Sequence, residues 1–370
     1  MYSPNFSSYE LPPLLSDPAF WGSVFLLVTL ISVLIYALVQ RSKRASNCGT
    51  LNSLLPPAGF GSVVEDISFS SPAGDYMVKS AYNACATGNF RNDYVDLCAL
   101  SNAIRQGCRF LDFEIYCLED EAVVAVSDLD TFTQKGSYNY LPIDDVLRTV
   151  SNLAFTAASG TDVTPNPTDP LFLHFRVKSH NAAVMTSLGN AIYNNLQNLW
   201  LGNEFNYCSM DKSVMDLPLN GKQLMGKVII MADMSNPDIK GSYFDEFVNI
   251  GTNTTVARLE TYNDVIYTTD STELINFNKT GITVCVPNTG ASSANNDASV
   301  AFKFGVQMCA MCFQTNDANL AAYNTLFQTG AFVKKPPDLL LVPVTVPVPP
   351  PAEDASGYNT YSGKHYSFNM

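Results

Sequence analysis

The sequence predicts an α/β domain, either a closed barrel or a doubly wound sheet, behind one membrane-crossing helix. Three observations lead there. Short apolar runs alternate with helical patterns over more than 200 residues, as strand–helix repeats do. Residues 20–39 carry no charge before Arg41, and about 20 apolar residues suffice to cross a bilayer. Residues 107–116, GCRFLDFEIY, read as a buried strand bearing two acids. Strand side chains alternate, so Leu111, Phe113 and Ile115 face one way and Asp112 and Glu114 the other. Two inward acids need a metal ion, a cationic side chain or a proton.

The chain of 370 residues has room for one large domain or two ordinary ones. A net charge of −13 argues against nucleic acid and disfavours attraction to anionic lipid. The nine cysteines are read as scattered, without CxxC or CxxxC…H spacing, so no zinc site is expected. Cys108, Cys309 and Cys312 sit in apolar runs, where free thiols behave as small hydrophobes. A reducing compartment is therefore expected for the main domain.

Residues 1–18 are short, polar and proline-punctuated, and are expected to be irregular. Residues 19–40 form the membrane helix, with Trp21 and Tyr36 near its ends as interfacial aromatics. A cleaved signal peptide would need a basic leader and a shorter apolar run. Arg41, Lys43 and Arg44 follow the span while Glu10 and Asp17 precede it, which predicts a cytosolic main domain and an outside N-terminus. The sequons at Asn253 and Asn278 are then chance matches, with Asn5 alone on the glycosylating side. Residues 41–72, rich in Ser, Asn, Gly and Pro, read as a linker.

Within residues 73–338 the expected strands are 76–82, 109–116, 122–126, 171–177, 227–233, 282–287, 308–313 and 331–334. The expected helices are 93–106, 142–154, 181–199 and 318–327. No GxGxxG follows the first strand, which weakens a dinucleotide-binding reading. The tail, 339–370, is apolar, then proline-rich, then rich in Tyr, Ser and Asn. It is expected to be extended or polyproline-like, free or strapped along a partner.

The two-acid strand also carries a resemblance. GCRFLDFEIY resembles the GCRxxELDxW strand of phosphoinositide-specific phospholipase C. YMVKSAYNACATG, DPLFLHFRVKSHN, LPLNGKQLMGKVIIMAD and FKFGVQMCAMCFQTN…GAFVKKP resemble further segments of that family's X and Y regions, in the same order. The resemblance implies a TIM-type (β/α)8 barrel, a calcium site and two catalytic histidines. At the histidine positions this chain has Tyr82 and Val126. Asn83, Asp112 and Glu114 match three implied calcium ligands, while Arg176 stands where the fourth, a glutamate, is implied. Met231 and Asp233 replace two phosphate-binding lysines, and Val284 and Val286 replace an arginine and a tyrosine.

A phenol titrating near ~10 is a poor imidazole substitute, and valine moves no proton. Arg176 is expected to bridge Asp112 and Glu114 in place of the metal. No cofactor is then expected. Of the three histidines, His174 is expected in the core, His180 at the barrel mouth as the remaining base candidate, and His365 in the tail. These substitutions predict a catalytically inactive, membrane-anchored scaffold. The variant motifs resemble the divergent phospholipase-C-like proteins of large DNA viruses, which implies a virion component linking internal membrane and capsid. Two alternatives are a phospholipase C using unorthodox residues and a ligand-binding barrel without turnover.

Overall fold

The computed structural model describes residues 17–342, apart from 55–56, 58, 64–68, 133, 157–163 and 210–212. The expected N-terminal irregular segment up to residue 16, the tail from residue 343, His365 and Asn5 lie outside the described residues.

Helix α1, Pro18–Ser53, opens on Asp17, whose carboxylate accepts from the Ala19 amide at 2.9 Å, with Pro18 in the first turn. It is long and apolar enough to cross a membrane, and its apolar window is not buried in the protein. The helix does not stop at the expected linker but runs through residues 41–53. The reason is docking. Lys43 pairs with Asp93 at 2.7 Å, Arg44 with Asp96 at 2.5 Å, and Leu51 is buried. Cys48 and Cys98 form a disulfide, which runs against the reducing compartment expected for the main domain, while Cys108, Cys309 and Cys312 are free thiols as expected. The other seven of the nine cysteines, all among the described residues, are free.

The barrel begins with β1, Tyr76–Ala81, then α2, Leu97–Arg105. Gly107 enters β2 at φ +84°, where an added Cβ would meet the Phe60 ring at 2.6 Å. Strand β2, Phe110–Leu118, folds back as a hairpin into β3, Glu121–Ala125, which pairs with the short β4, Leu141–Pro142. Next come α3, Ile143–Leu153; β5, Leu171–Val177; α4, Ala182–Leu196; and β6, Val228–Asp233. Strands β7, Ile250–Thr252, and β8, Ala257–Thr261, precede α5, Tyr262–Ile266, and α6, Ser271–Asn278. Then follow β9, Ile282–Val286; α7, Ala298–Phe302; β10, Met308–Met311; α8, Ala318–Leu326; and β11, Phe332–Lys334.

Eight strands run parallel in the order β7-β6-β5-β2-β1-β10-β9-β8, a nearly closed barrel without a ladder between β7 and β8. β11 caps β1 antiparallel. The strand interiors are buried on both faces, as expected when helices cover a parallel sheet. The sequence reading missed β7 and β8. They are three and five residues long, and β8 is only half-buried after Ala257, so neither carries a strong apolar run.

Candidate functional site

The carboxyl ends of the barrel strands form a mouth, and the two acids of β2 sit beneath it. Asn83 follows β1 at φ +43°, a left-handed conformation that asparagine tolerates. This turn aims its amide at both neighbours. Nδ2 donates to Glu114 Oε1 at 3.2 Å, and Oδ1 accepts from Arg176 at 3.1 Å.

Arg176 on β5 is the register partner of Glu114 on β2. Its guanidinium forks across both acids. Nε and Nη2 donate to Asp112 at 2.9 and 2.6 Å, and Nη1 donates to Glu114 at 2.9 Å. The Tyr82 ring covers the cation, with Cζ 4.8 Å from its centroid. His174 Nδ1 donates to Asp112 Oδ1 at 2.8 Å, and its Nε2 meets Thr252 Oγ1 at 3.1 Å. Glu114 Oε2 accepts from Tyr116 Oη at 2.8 Å and from the Ser127 amide at 2.9 Å. All four carboxylate oxygens are thus engaged.

The electrostatics follow. Burial alone would raise the Asp112 carboxyl, but the Arg176 charge and the hydrogen bonds from His174 and Arg176 outweigh it. The group lies well below the usual carboxylate range. Burial would lower Arg176, and its acidic partners instead hold it well above the ordinary value. Burial pushes the Tyr82 phenol far up, so it stays a neutral phenol near neutral pH. Calcium does not fit this donor set. Asn83, Asp112 and Glu114 spend their oxygens on a guanidinium standing where a divalent cation would be repelled.

The remaining expected site residues divide by depth. Tyr82, Glu114, Arg176, Asp233 and Val286 line a mouth cavity of about 270 Å³, with Lys178 and Glu260. Asp233 accepts from Asn253 Nδ2 at 2.8 Å and from the Ser235 amide. Met231 and Val284 are fully buried in the barrel core and do not line the cavity. Val126 is likewise buried, its carbonyl accepting from the amides of Gly136 and Ser137. His180 lies exposed at the mouth, its ring stacked on Phe132 at 4.6 Å and Nδ1 2.6 Å from Asp238. Its ring partners, Asp238 and Phe132, include neither acid of the pair.

Sequence reasoning missed the Lys178–Asp130 pair at 2.5 Å, which lies over the cavity beside Phe132. It also missed the CxxC spacing of Cys309 and Cys312. Both thiols are buried, and Cys309 faces Cys285 across the β9–β10 ladder. The Asn278 sequon is buried, with Nδ2 donating to the Phe304 carbonyl.

The sequence model of the family "Phosphatidylinositol-specific phospholipase C, Y domain" matches residues 245–338. Among solved structures, the chain is similar to S. officinalis PLC21, at 15% identity and a TM-score of 0.58, covering 72% of this chain. It is similar to L. pealei PLC21 at 15% identity and 0.59, covering 76%. The barrel is phospholipase-C-like. The chain spans only 37% and 39% of the lengths of those two proteins. No curated protein sequence matches it at a significant level. The family match covers the Y half of the phospholipase-C-like barrel and leaves β2, with its two acids, outside. The structural likeness extends the fold across both halves.

Proposed function

We propose that this chain is a catalytically inactive, membrane-anchored structural protein, a virion component that tethers an internal membrane to the capsid. The observation that carries the inactivity is Arg176 in the centre of Asn83, Asp112 and Glu114. The guanidinium supplies fixed positive charge there, so the site holds no calcium and needs no cofactor. Tyr82 stays a neutral phenol near neutral pH and Val126 moves no proton, and Asp233 at the cavity wall repels an inositol phosphate. What remains is a rigid barrel on a helix, with a tail that reaches protein partners in the capsid.

The basic flank favours a barrel inserted on the cytosolic side, though Lys43 and Arg44 are paired with Asp93 and Asp96. The Cys48–Cys98 disulfide favours an oxidising environment. A chain inserted in the cytosol and oxidised after release of the particle satisfies both.

The test of inactivity is diacylglycerol release from phosphatidylinositol vesicles with calcium. None is expected. Release abolished by His180→Ala would establish a phospholipase C with unorthodox residues instead. The partner reading is tested by cross-linking the intact source particle, where contacts from the tail to an abundant capsid protein are expected.

A further inference from the structure

A second cavity lies at the opposite end of the barrel from the acid pair. Its volume is about 520 Å³, and Tyr207, Val214, Met215, Ile250, Val256 and Ile282 line it. Ile250 and Ile282 are the first residues of β7 and β9, and Val256 immediately precedes β8. In parallel strands these are all amino ends, so the cavity opens away from the mouth. It sits where β7 and β8 share no ladder. The sheet is open there, and Val256 is left 57% exposed.

The described chain ends beside this cavity. After β11 the Lys335 amide donates to the Asp75 carbonyl at 2.9 Å, and Lys335 Nζ donates to the Asn278 carbonyl at 2.8 Å. Gln307 Nε2 ties that same carbonyl to those of Gly74 and Gly281. Gly74 lies against Met215 of the cavity wall, and Gly281 stands between Thr280 and Ile282, which both line the cavity. Leu339 is buried, and it and Asn278 both lie against Gly305. Leu341 and Val342, the last described residues, then emerge into solvent.

The sequence that follows suits an apolar groove. From Leu339 to Ala352 it carries no charge. Val342, Val344, Val346 and Val348 alternate with Pro343, Thr345, Pro347 and Pro349. In an extended chain this spacing sets the valines on one face. Proline holds φ in the extended range, which lowers the entropy lost on docking. Residues 343–351 reach about 28 Å at ~3.1 Å per residue, enough to cross the cavity.

We infer that residues 343–351 of this same chain lie along the cavity as a strap, valine face inward, and cover the open sheet between β7 and β8. Residues 352–370, with Glu353 and Asp354 near their start, stay outside the groove and can reach a partner. The strap depends on neither the membrane reading nor the capsid reading.

Two native thiols supply the test. Cys208 lines the cavity, and Cys117 lies on β2; both are exposed and free. Their alkylation rates by a maleimide are read by peptide mass spectrometry in the full chain and in a chain ending at Val342. Cys208 is expected to react at least fivefold faster in the shortened chain, with Cys117 unchanged. A synthetic peptide of residues 343–352 should restore the protection. The full-length Val346→Asp, Val348→Asp variant should expose Cys208 as the shortening does. Equal Cys208 rates in the full and shortened chains would overturn the strap. So would a parallel rise at Cys117, which marks general loosening. Protection in the full chain that fades on dilution would mean that a second copy supplies the tail, and it overturns the intrachain strap. Protection that survives the two aspartates overturns the role of the valine face.

Discussion

Two buried arginines flank the β2–β5 ladder, and their partners differ in kind. Arg176 at the mouth is held by two carboxylates. Arg109, just before β2 at the far end, is held mostly by neutral oxygens: the Ala154 carbonyl at 3.0 Å, Asn166 Oδ1 at 3.0 Å and the Asn166 carbonyl. Burial pulls Arg109 down to about 10, with Asp169 opposing, while Arg176 is held above its ordinary value. The same side chain therefore does two jobs. At the far end it gathers loop carbonyls and closes the barrel floor. At the mouth it neutralises acids that would otherwise need a cation.

Substitutions separate these jobs. The largest effect is expected for Arg176→Glu, which leaves several acids buried without a counter-charge. Without calcium it should lose more than the ~3–5 kcal/mol typical of breaking a buried ion pair. Calcium should raise its melting temperature while leaving the parent unmoved. A calcium-dependent shift in the parent would refute the claim that Arg176 stands in for the metal. Arg176→Met should lose about 3–5 kcal/mol in denaturant unfolding, and adding Asp112→Asn and Glu114→Gln should restore most of it. Arg109→Met should cost less, about 1–3 kcal/mol, because its direct hydrogen bonds go to neutral oxygens and nearby Asp169 keeps its bonds from Ser62, the Val63 amide and Asn166. No carboxamide change at the mouth should rescue it.

Acid sharpens the same contrast. Asp112 has a folded-state pKa below its unfolded value, so its contribution is present above about pH 4. It is lost as the pH falls below that and the carboxylate takes up its proton. The parent should lose stability steeply below about pH 4, and the Arg176→Met, Asp112→Asn, Glu114→Gln variant should lose less. His180→Ala should have the smallest effect, within about 0.5 kcal/mol, as for an exposed surface side chain.

Much of the fold was legible because it rests on periodicity. The strands β1, β2, β5 and β6 are rich in apolar residues, as strands buried on both faces are, with the site's polar side chains set among them. The helices α2, α3 and α4 fell inside their expected ranges. β7 and β8 were not legible, because β7 is three residues long and β8 holds only two apolar residues in five. Of the site, the two acids were visible on β2 because period two sets them on one face. Arg176 was visible as a register neighbour only through the resemblance. His174 was read as a core histidine; that it donates to Asp112 could not be read, because the contact crosses 62 residues.

The sequence by itself determined a charge-free helix, a parallel α/β domain and a strand with two acids on one face. These follow from local spacing, which any window of the chain displays. Only the tertiary structure decided that α1 is docked, that Cys48 reaches Cys98, and that His174 donates to Asp112. Each depends on segments distant in sequence meeting at one end of the barrel. The positive charges after the membrane helix show the difference best. In sequence Lys43 and Arg44 are free cations that set an orientation. In the folded chain they are spent on Asp93 and Asp96, because a rigid helix brings them against the first loop of the mouth.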